Sequence, residues 1–226
     1  MPRAARLAVV LPALALLAAL ALATERLGRA NGIVYAAARE MATWSASGAE
    51  PGERTVAWVR GDLERAAALT PADPTLEEML GRLALRHPER AEYADAAVAH
   101  FTRAIELRPT SPYTWASVAE AKYRKGDTGQ SFEAALRRAA QLGPSEAEVQ
   151  LTVADYGLAI WDEAAPQTRR AVETMVTSAM KRDPAATLQV AERRGRLAVA
   201  CRHLVDAPRR ADPRGLQLCG SRETLS

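Results

Sequence analysis

The stretch Leu136-Arg-Arg-Ala139-Ala-Gln-Leu142-Gly-Pro144 decides the fold, because its nine-residue pattern occurs four times in this 226-residue chain. The other copies are residues 63–71, 101–109 and 176–184. In each copy a large apolar residue precedes an alanine by three positions, so both lie on one helical face. The alanine allows a neighbouring helix to approach closely, and the closing proline ends the helix. The pattern therefore predicts a repeated helix.

The spacing of the copies predicts how these helices are arranged. The closing prolines are 38, 35 and 40 residues apart, close to the length of known helix-pair repeats. A helix pair of this size cannot bury its apolar face alone and therefore stacks on its neighbours. A composition with 48% hydrophobic but only 5% aromatic residues suits such an alanine-rich array. We predict an all-α solenoid of stacked helical hairpins.

The segment after Pro109 resembles a tetratricopeptide repeat. Trp115 stands where that family has its first-helix tryptophan, and Gly126 stands at the glycine of the turn between the two helices. Phe132 follows at a second-helix position, with one residue inserted. The resemblance implies about three repeats, whose paired helices form a surface that binds other proteins.

The predicted domain organisation has four parts: a signal anchor or signal peptide at 1–24, a stalk helix and loop at 25–54, a repeat domain with closing helix at 55–205, and a flexible tail at 206–226. The stalk helix is expected to be interrupted at Asn31-Gly32. The closing helix is expected over Pro184–Val205, because an array needs an end with one polar face. Three arginines supply that face, Arg193, Arg194 and Arg196.

An uncharged apolar run from Leu7 to Ala23 follows Arg3 and Arg6. Its length is near the lower limit for crossing a bilayer. A cleaved signal peptide and an uncleaved anchor both remain open, because Ala21-Leu22-Ala23 also resembles a cleavage site. The basic start should keep the N-terminus in the cytoplasm. We therefore expect a single-pass protein of the cytoplasmic membrane with periplasmic repeats or, after cleavage, a soluble periplasmic protein.

No catalytic constellation emerges from the sequence. The three histidines, His87, His100 and His203, are far apart and lack the spacing of metal ligands. The formal charge of +3 is spread along the chain, which disfavours nucleic acid binding. We predict a protein that is not an enzyme and has no cofactor and no metal.

The two cysteines, Cys201 and Cys219, have two interpretations. An exported protein meets an oxidising compartment, where they can form a disulfide. Cys201 also lies on an apolar stripe, where a cysteine commonly serves as a small buried hydrophobic residue. A bridge requires Cα atoms within about 7 Å, a distance that the sequence does not fix.

By the spacing of the tetratricopeptide family, first helices line the concave groove of the stack. Aromatic and arginine side chains on such a groove suit recognition of an extended peptide. The alternative is that the tyrosines pack between helices and the arginines are only solvated. The candidate groove residues are Arg82, Arg86, Tyr113, Ser117, Glu120, Tyr123, Arg124 and Asp155.

A narrower resemblance covers most of the chain. The membrane run, the stretch Leu107-Arg-Pro109-Thr-Ser-Pro112-Tyr-Thr-Trp115-Ala and the stretch Val149-Gln-Leu-Thr-Val-Ala-Asp155 resemble small membrane-anchored tetratricopeptide proteins of bacterial exopolysaccharide clusters. The resemblance implies a non-catalytic scaffold whose partners are proteins of an envelope polysaccharide assembly. Two alternatives remain: an accessory factor for pilus or cytochrome maturation, and a glycan-binding or glycan-modifying protein.

Overall fold

A computed structural model of the chain describes residues 3–48, 50–86, 91–203 and 219. Within these residues the regular structure consists of ten helices, and no strand occurs. The all-α prediction is therefore confirmed for the described part of the chain. The helices are α1 (Arg3–Ser47), α2 (Glu53–Leu69), α3 (Pro74–Ala84), α4 (Ala91–Leu107), α5 (Pro112–Lys125), α6 (Gln130–Leu142), α7 (Ala147–Ala159), α8 (Pro166–Arg182), α9 (Pro184–Arg193) and α10 (Leu197–Cys201).

The chain divides into two compact units, an N-terminal unit of Met1–Leu83 and a C-terminal unit of Ala84–Ser226. The residues predicted as one repeat domain, 55–205, are therefore shared between two units. The predicted tail at 206–226 lies outside the described residues except for Cys219, and so does the sequence around His87.

The N-terminal unit has its own apolar core between α1, α2 and α3. From α1, Ala30, Ala37 and Trp44 are buried in it. These residues are seven positions apart, so they lie on one helical stripe. From α2 and α3 the core receives Val56, Val59, Leu63, Ala66, Leu76, Met79, Leu80 and Leu83.

The continuity of α1 corrects the prediction of a separate, interrupted stalk. The helix runs unbroken through Asn31 and Gly32. A glycine inside a helix costs only about 1 kcal/mol, which burial of the stripe on either side outweighs. Residues 30–44 are thus part of a packed unit, and the connection to α2 is short.

The N-terminal part of α1 is long and apolar enough to cross a membrane. Residues Val10–Trp44 include an 18-residue window of mean hydropathy 1.7, none of which is buried. The leucines of this part are all more than half exposed: Leu11, Leu14, Leu16, Leu17, Leu20 and Leu22. A row of apolar side chains in water is unfavourable, so this part of α1 is suited to a bilayer.

The C-terminal unit is built of stacked helical hairpins in two layers. In one layer α5 contacts α7 and α7 contacts α9, and in the other α6 contacts α8 and α8 contacts α10.

The nine-residue patterns fall at the ends of α2, α4, α6 and α8. Their apolar and alanine positions are all buried, namely Leu63, Ala66, Phe101, Ala104, Leu136, Ala139, Val176 and Ala179. Each of these helices ends two residues before its proline, as the pattern predicts.

The helices α7 and α8 approach each other closely at Gly157. A Cβ built on Gly157 would lie 2.2 Å from Cγ2 of Val172, far inside van der Waals contact. Glycine is therefore the residue that lets these two helices pack at their observed distance.

The closing helix predicted over Pro184–Val205 is wrong in its continuity. Gly195 has φ +65° and separates α9 from α10. Because this left-handed conformation cannot continue an α-helix, glycine here ends α9. The last two residues of the predicted span, 204 and 205, lie outside the described part.

Candidate functional site

The layer formed by α5, α7 and α9 brings aromatic and charged side chains together. We call them the tyrosine–arginine cluster. Its members are Glu120, Tyr123 and Arg124 of α5, Asp155 and Tyr156 of α7, and Arg194, which follows α9. Three successive hairpins therefore contribute to a single surface.

Two tyrosine rings form the centre of the cluster. The centroids of Tyr123 and Tyr156 are 5.1 Å apart at an interplanar angle of 53°. The guanidinium carbon of Arg194 lies 5.3 Å from the centroid of Tyr123 and 5.8 Å from that of Tyr156. These distances allow cation–π attraction to both rings. Arg194 thereby links α9 to the two preceding hairpins.

Carboxylates hold the cationic side chains in place. Nε of Arg194 lies 2.7 Å from Oδ1 of Asp155, and its Nη1 donates to the Tyr123 hydroxyl at 3.3 Å. The neighbouring Arg193 approaches Oδ2 of Asp155 at 3.6 Å. Hydrogen bonding to Asp155, partly offset by burial, raises the pKa of Arg194. Asp155 therefore forms ion pairs with two arginines at the end of α9.

A second ion pair borders the tyrosines on α5. Nη2 of Arg124 lies 2.7 Å from Oε1 of Glu120, and its Nη1 donates to the backbone carbonyl of Leu85 at 3.2 Å. The Arg124 side chain is still 38% exposed, and that of Arg193 is 57% exposed. Both arginine side chains therefore remain accessible to solvent.

Burial raises the pKa of Tyr156 to about 12, with the negative charge of Glu120 acting in the same direction and Arg124 opposing it. Below the ordinary tyrosine pKa of 10.0, the phenol is neutral in both folded and unfolded chains. Between that value and about 12, only the unfolded chain has lost the proton. Tyr156 thus contributes stability that is present below pH 10.0 and is lost as the pH rises to about 12.

We expect the free energy of unfolding to fall less in a Tyr156→Phe variant than in the wild type over this alkaline range. Phenylalanine keeps the ring but has no proton to lose. Urea titrations at about pH 9 and about pH 11 would measure the difference. Equal losses in the two proteins would show that Tyr156 does not titrate in this way.

The break after α9 explains why the closing arginines differ from their prediction. They were expected on a polar outer face, yet Arg194 is only 25% exposed and lies on the tyrosines. Arg196 forms an ion pair with Asp162. A helix continuing through Gly195 would place these side chains differently, so the glycine sets their direction.

The structure brings together only part of the predicted groove. Glu120, Tyr123, Arg124 and Asp155 are in the cluster, as described above. Tyr113 lies at the start of α5, where its hydroxyl donates to Glu146. The remaining candidates do not join the cluster in its described contacts: Ser117 is half-buried on α5, Arg86 is half-buried after α3, and Arg82 is exposed in the N-terminal unit.

Two cluster residues differ from the prediction: Tyr156 was not among the predicted groove residues, and Arg194 was expected on the outer face of the closing helix. Tyr156 directly follows the candidate Asp155, so a spacing rule for solvent-facing positions assigns it to the core. It is indeed buried, at 8% exposure, but its ring still contacts both Tyr123 and Arg194. The sequence feature that could have identified this contact is the presence of a tyrosine, Tyr123 and Tyr156, on each of two successive first helices.

A disulfide joins Cys201 to Cys219, with Cα atoms 5.6 Å apart. Both cysteines also pack against the apolar core of the C-terminal unit. The bridge and the apolar role that the sequence left as alternatives therefore occur together.

No protein-family model matches the chain, and no curated protein matches it. Among the described residues, no group of three or more histidine, cysteine or acidic side chains is placed to hold a metal ion.

Proposed function

We propose that this chain is a non-catalytic scaffold of tetratricopeptide type in the bacterial cell envelope. It is held in the cytoplasmic membrane by α1, and it binds a protein of an exopolysaccharide synthesis or export assembly. The observation that carries the proposal is the tyrosine–arginine cluster on a layer of stacked helices. Tyrosine and arginine are enriched at the energetic centres of protein interfaces.

The repeat assignment is supported by packing as well as by sequence. From α5 to α10, alternate helices stack on one another, and the repeated pattern of apolar residue and alanine is buried in α2, α4, α6 and α8. Stacked helix pairs form extended binding surfaces more often than active sites. The α5, α7 and α9 layer is the surface that we assign to the partner.

The charges of this surface define what it binds. Arg124 and Arg193 retain exposed guanidinium groups beside two partly buried carboxylates. Guanidinium groups form paired hydrogen bonds with carboxylates. The partner is therefore a protein segment that presents acidic side chains.

The glycan-binding alternative is less well supported by the cluster. Sugars stack on aromatic faces that are open to solvent, whereas Arg194 covers the rings of Tyr123 and Tyr156. The proposal for the pathway comes from the resemblance to exopolysaccharide-cluster proteins. Pilus and cytochrome maturation are the pathways that partner identification would have to exclude.

Membrane topology is the first test of the proposal. An alkaline phosphatase fused after residue 50, in the connection between α1 and α2, should be active, because the phosphatase folds only outside the cytoplasm. A fluorescent protein that requires the cytoplasm should be dark at the same position. The opposite pair of results would place both helical units in the cytoplasm and contradict the proposal.

The second test identifies the partner. The full chain is cross-linked in native membranes and purified, and the attached proteins are identified by mass spectrometry. A polysaccharide synthesis or export component with an acidic segment supports the proposal. If the attached protein is a pilus or cytochrome maturation component, the proposed scaffold role stands, but the proposed polysaccharide pathway is wrong.

A further inference from the structure

A crevice in the N-terminal unit lies beside the membrane end of α1. Ala23, Arg26, Leu27 and Asn31 line it from α1, and residues 69–74 line it from the connection between α2 and α3. Its volume is about 610 Å³, within the range of small-molecule sites. The tyrosine–arginine cluster is in the other unit, so this crevice is a separate feature.

The length of the apolar run places the crevice at the bilayer surface. The 17 residues from Leu7 to Ala23 span about 26 Å as a helix, about 4 Å less than the hydrocarbon core. Residues just beyond Ala23 are therefore drawn to the edge of the core. On that side of the core the headgroup layer is roughly 5 to 7 Å thick. Arg26 and Leu27 follow Ala23 by about 4.5 and 6 Å along the helix, so both lie within this layer.

The crevice combines an apolar wall with one cation and one anion. Leu27 is 52% exposed on this wall. No ion pair joins Arg26 or Asp73 to another residue in the described part of the chain, although both line the same crevice. Oδ1 of Asp73 accepts a hydrogen bond of 2.9 Å from the Thr75 backbone at the start of α3, which leaves its charge available.

We infer that the crevice binds the headgroup of a phospholipid that carries both a phosphate and a primary ammonium, as in phosphatidylethanolamine. Arg26 donates hydrogen bonds to the phosphate, and Asp73 accepts hydrogen bonds from the ammonium. The acyl chains continue past Ala23 into the bilayer. A primary ammonium has three donors, whereas the quaternary ammonium of phosphatidylcholine has none, so Asp73 selects between them.

The test uses the full chain reconstituted in vesicles with equal amounts of phosphatidylethanolamine, phosphatidylcholine and phosphatidylglycerol. Native mass spectrometry then counts the lipids that remain bound after mild extraction. We expect one retained phosphatidylethanolamine per chain. Arg26→Gln and Asp73→Asn should each weaken its retention about tenfold, the factor that corresponds to one hydrogen bond to a charged group.

Two matched features keep the test specific. Arg29→Gln removes a cation one turn away whose Nη2 pairs with Oε1 of Glu25 at 2.6 Å, so retention should stay unchanged. Asp73→Asn preserves the helix cap, because asparagine accepts the same backbone hydrogen bond. An unchanged helical circular dichroism signal in both crevice variants confirms that they are folded.

Three results would overturn the inference: equal retention of phosphatidylethanolamine and phosphatidylcholine, a preference for phosphatidylglycerol that Asp73→Asn leaves intact, or an equal loss in Arg29→Gln. The inference rests on the proposed anchoring by α1, which the intact mass checks. A chain cleaved near Ala23 would overturn the anchoring and the lipid site together. A full-length membrane chain without ethanolamine preference would overturn the lipid site alone.

Discussion

Replacing Arg124 and Arg193 with glutamine is expected to release the partner protein from the chain and to reduce surface polysaccharide. Both guanidinium groups lie at the open edge of the tyrosine–arginine cluster. Removing one member of a charge pair that is buried on binding costs about 2 to 5 kcal/mol. The dissociation constant of the purified partner should therefore rise by at least about thirtyfold.

A matched variant separates this surface from a general charge effect. Arg138 and Arg170 are exposed on α6 and α8, in the other helical layer, and their replacement by glutamine removes the same two charges. This control should keep the partner and normal polysaccharide. If both double variants behave alike, the α5, α7 and α9 layer is not the binding surface.

Gly157→Ala is expected to destabilise the C-terminal unit by about 3 kcal/mol, at the upper end of ordinary overpacking. The new methyl group would lie 2.2 Å from Cγ2 of Val172 and 2.9 Å from its Cγ1. The hairpin of α7 and α8 must then open, which also shifts Asp155 and Tyr156. Chemical denaturation would measure the loss, and partner affinity should fall with it.

Two further variants test whether the clash is the cause. Gly61→Ala adds the same methyl group to α2, where the nearest atom is Nη1 of Arg65 at 3.8 Å. That variant should gain about 0.5 to 1 kcal/mol from reduced chain entropy. Because Val172 is itself buried, Val172→Ala alone also costs stability, but the double variant should lose clearly less than the sum of the two single losses. Additive losses would mean that the cost of Gly157→Ala does not arise at Val172.

Local patterns were sufficient to predict the helices and their buried faces. The nine-residue copies identify the apolar residue and alanine of four helices, because a three-residue spacing fixes one helical face. Proline fixes the helix ends for a local reason, the absence of a backbone donor. These features depend on neighbours in sequence and therefore need no knowledge of tertiary contacts.

The errors concern positions where tertiary contacts decide. Asn31-Gly32 has the local signature of a break, but burial of Ala30 and Ala37 keeps α1 helical. Arg194 has the local signature of a solvated arginine, but the conformation of Gly195 places it on two tyrosines and a carboxylate. Helix spacing thus predicted four of the six cluster residues, and it did not predict Tyr156 and Arg194.

The continuity of α1 also fixes the distance between the end of its apolar run and its packed C-terminal part. From Ala23 to Trp44 the helix rises about 32 Å, and it has no hinge in that interval. If α1 is anchored in a bilayer, this continuous helix is a rigid spacer of defined length. A flexible tether would let the distance between Ala23 and Trp44 vary, whereas a continuous helix keeps it fixed. The residues of α2 and α3 that pack on α1 are therefore also held at a fixed distance from the apolar run.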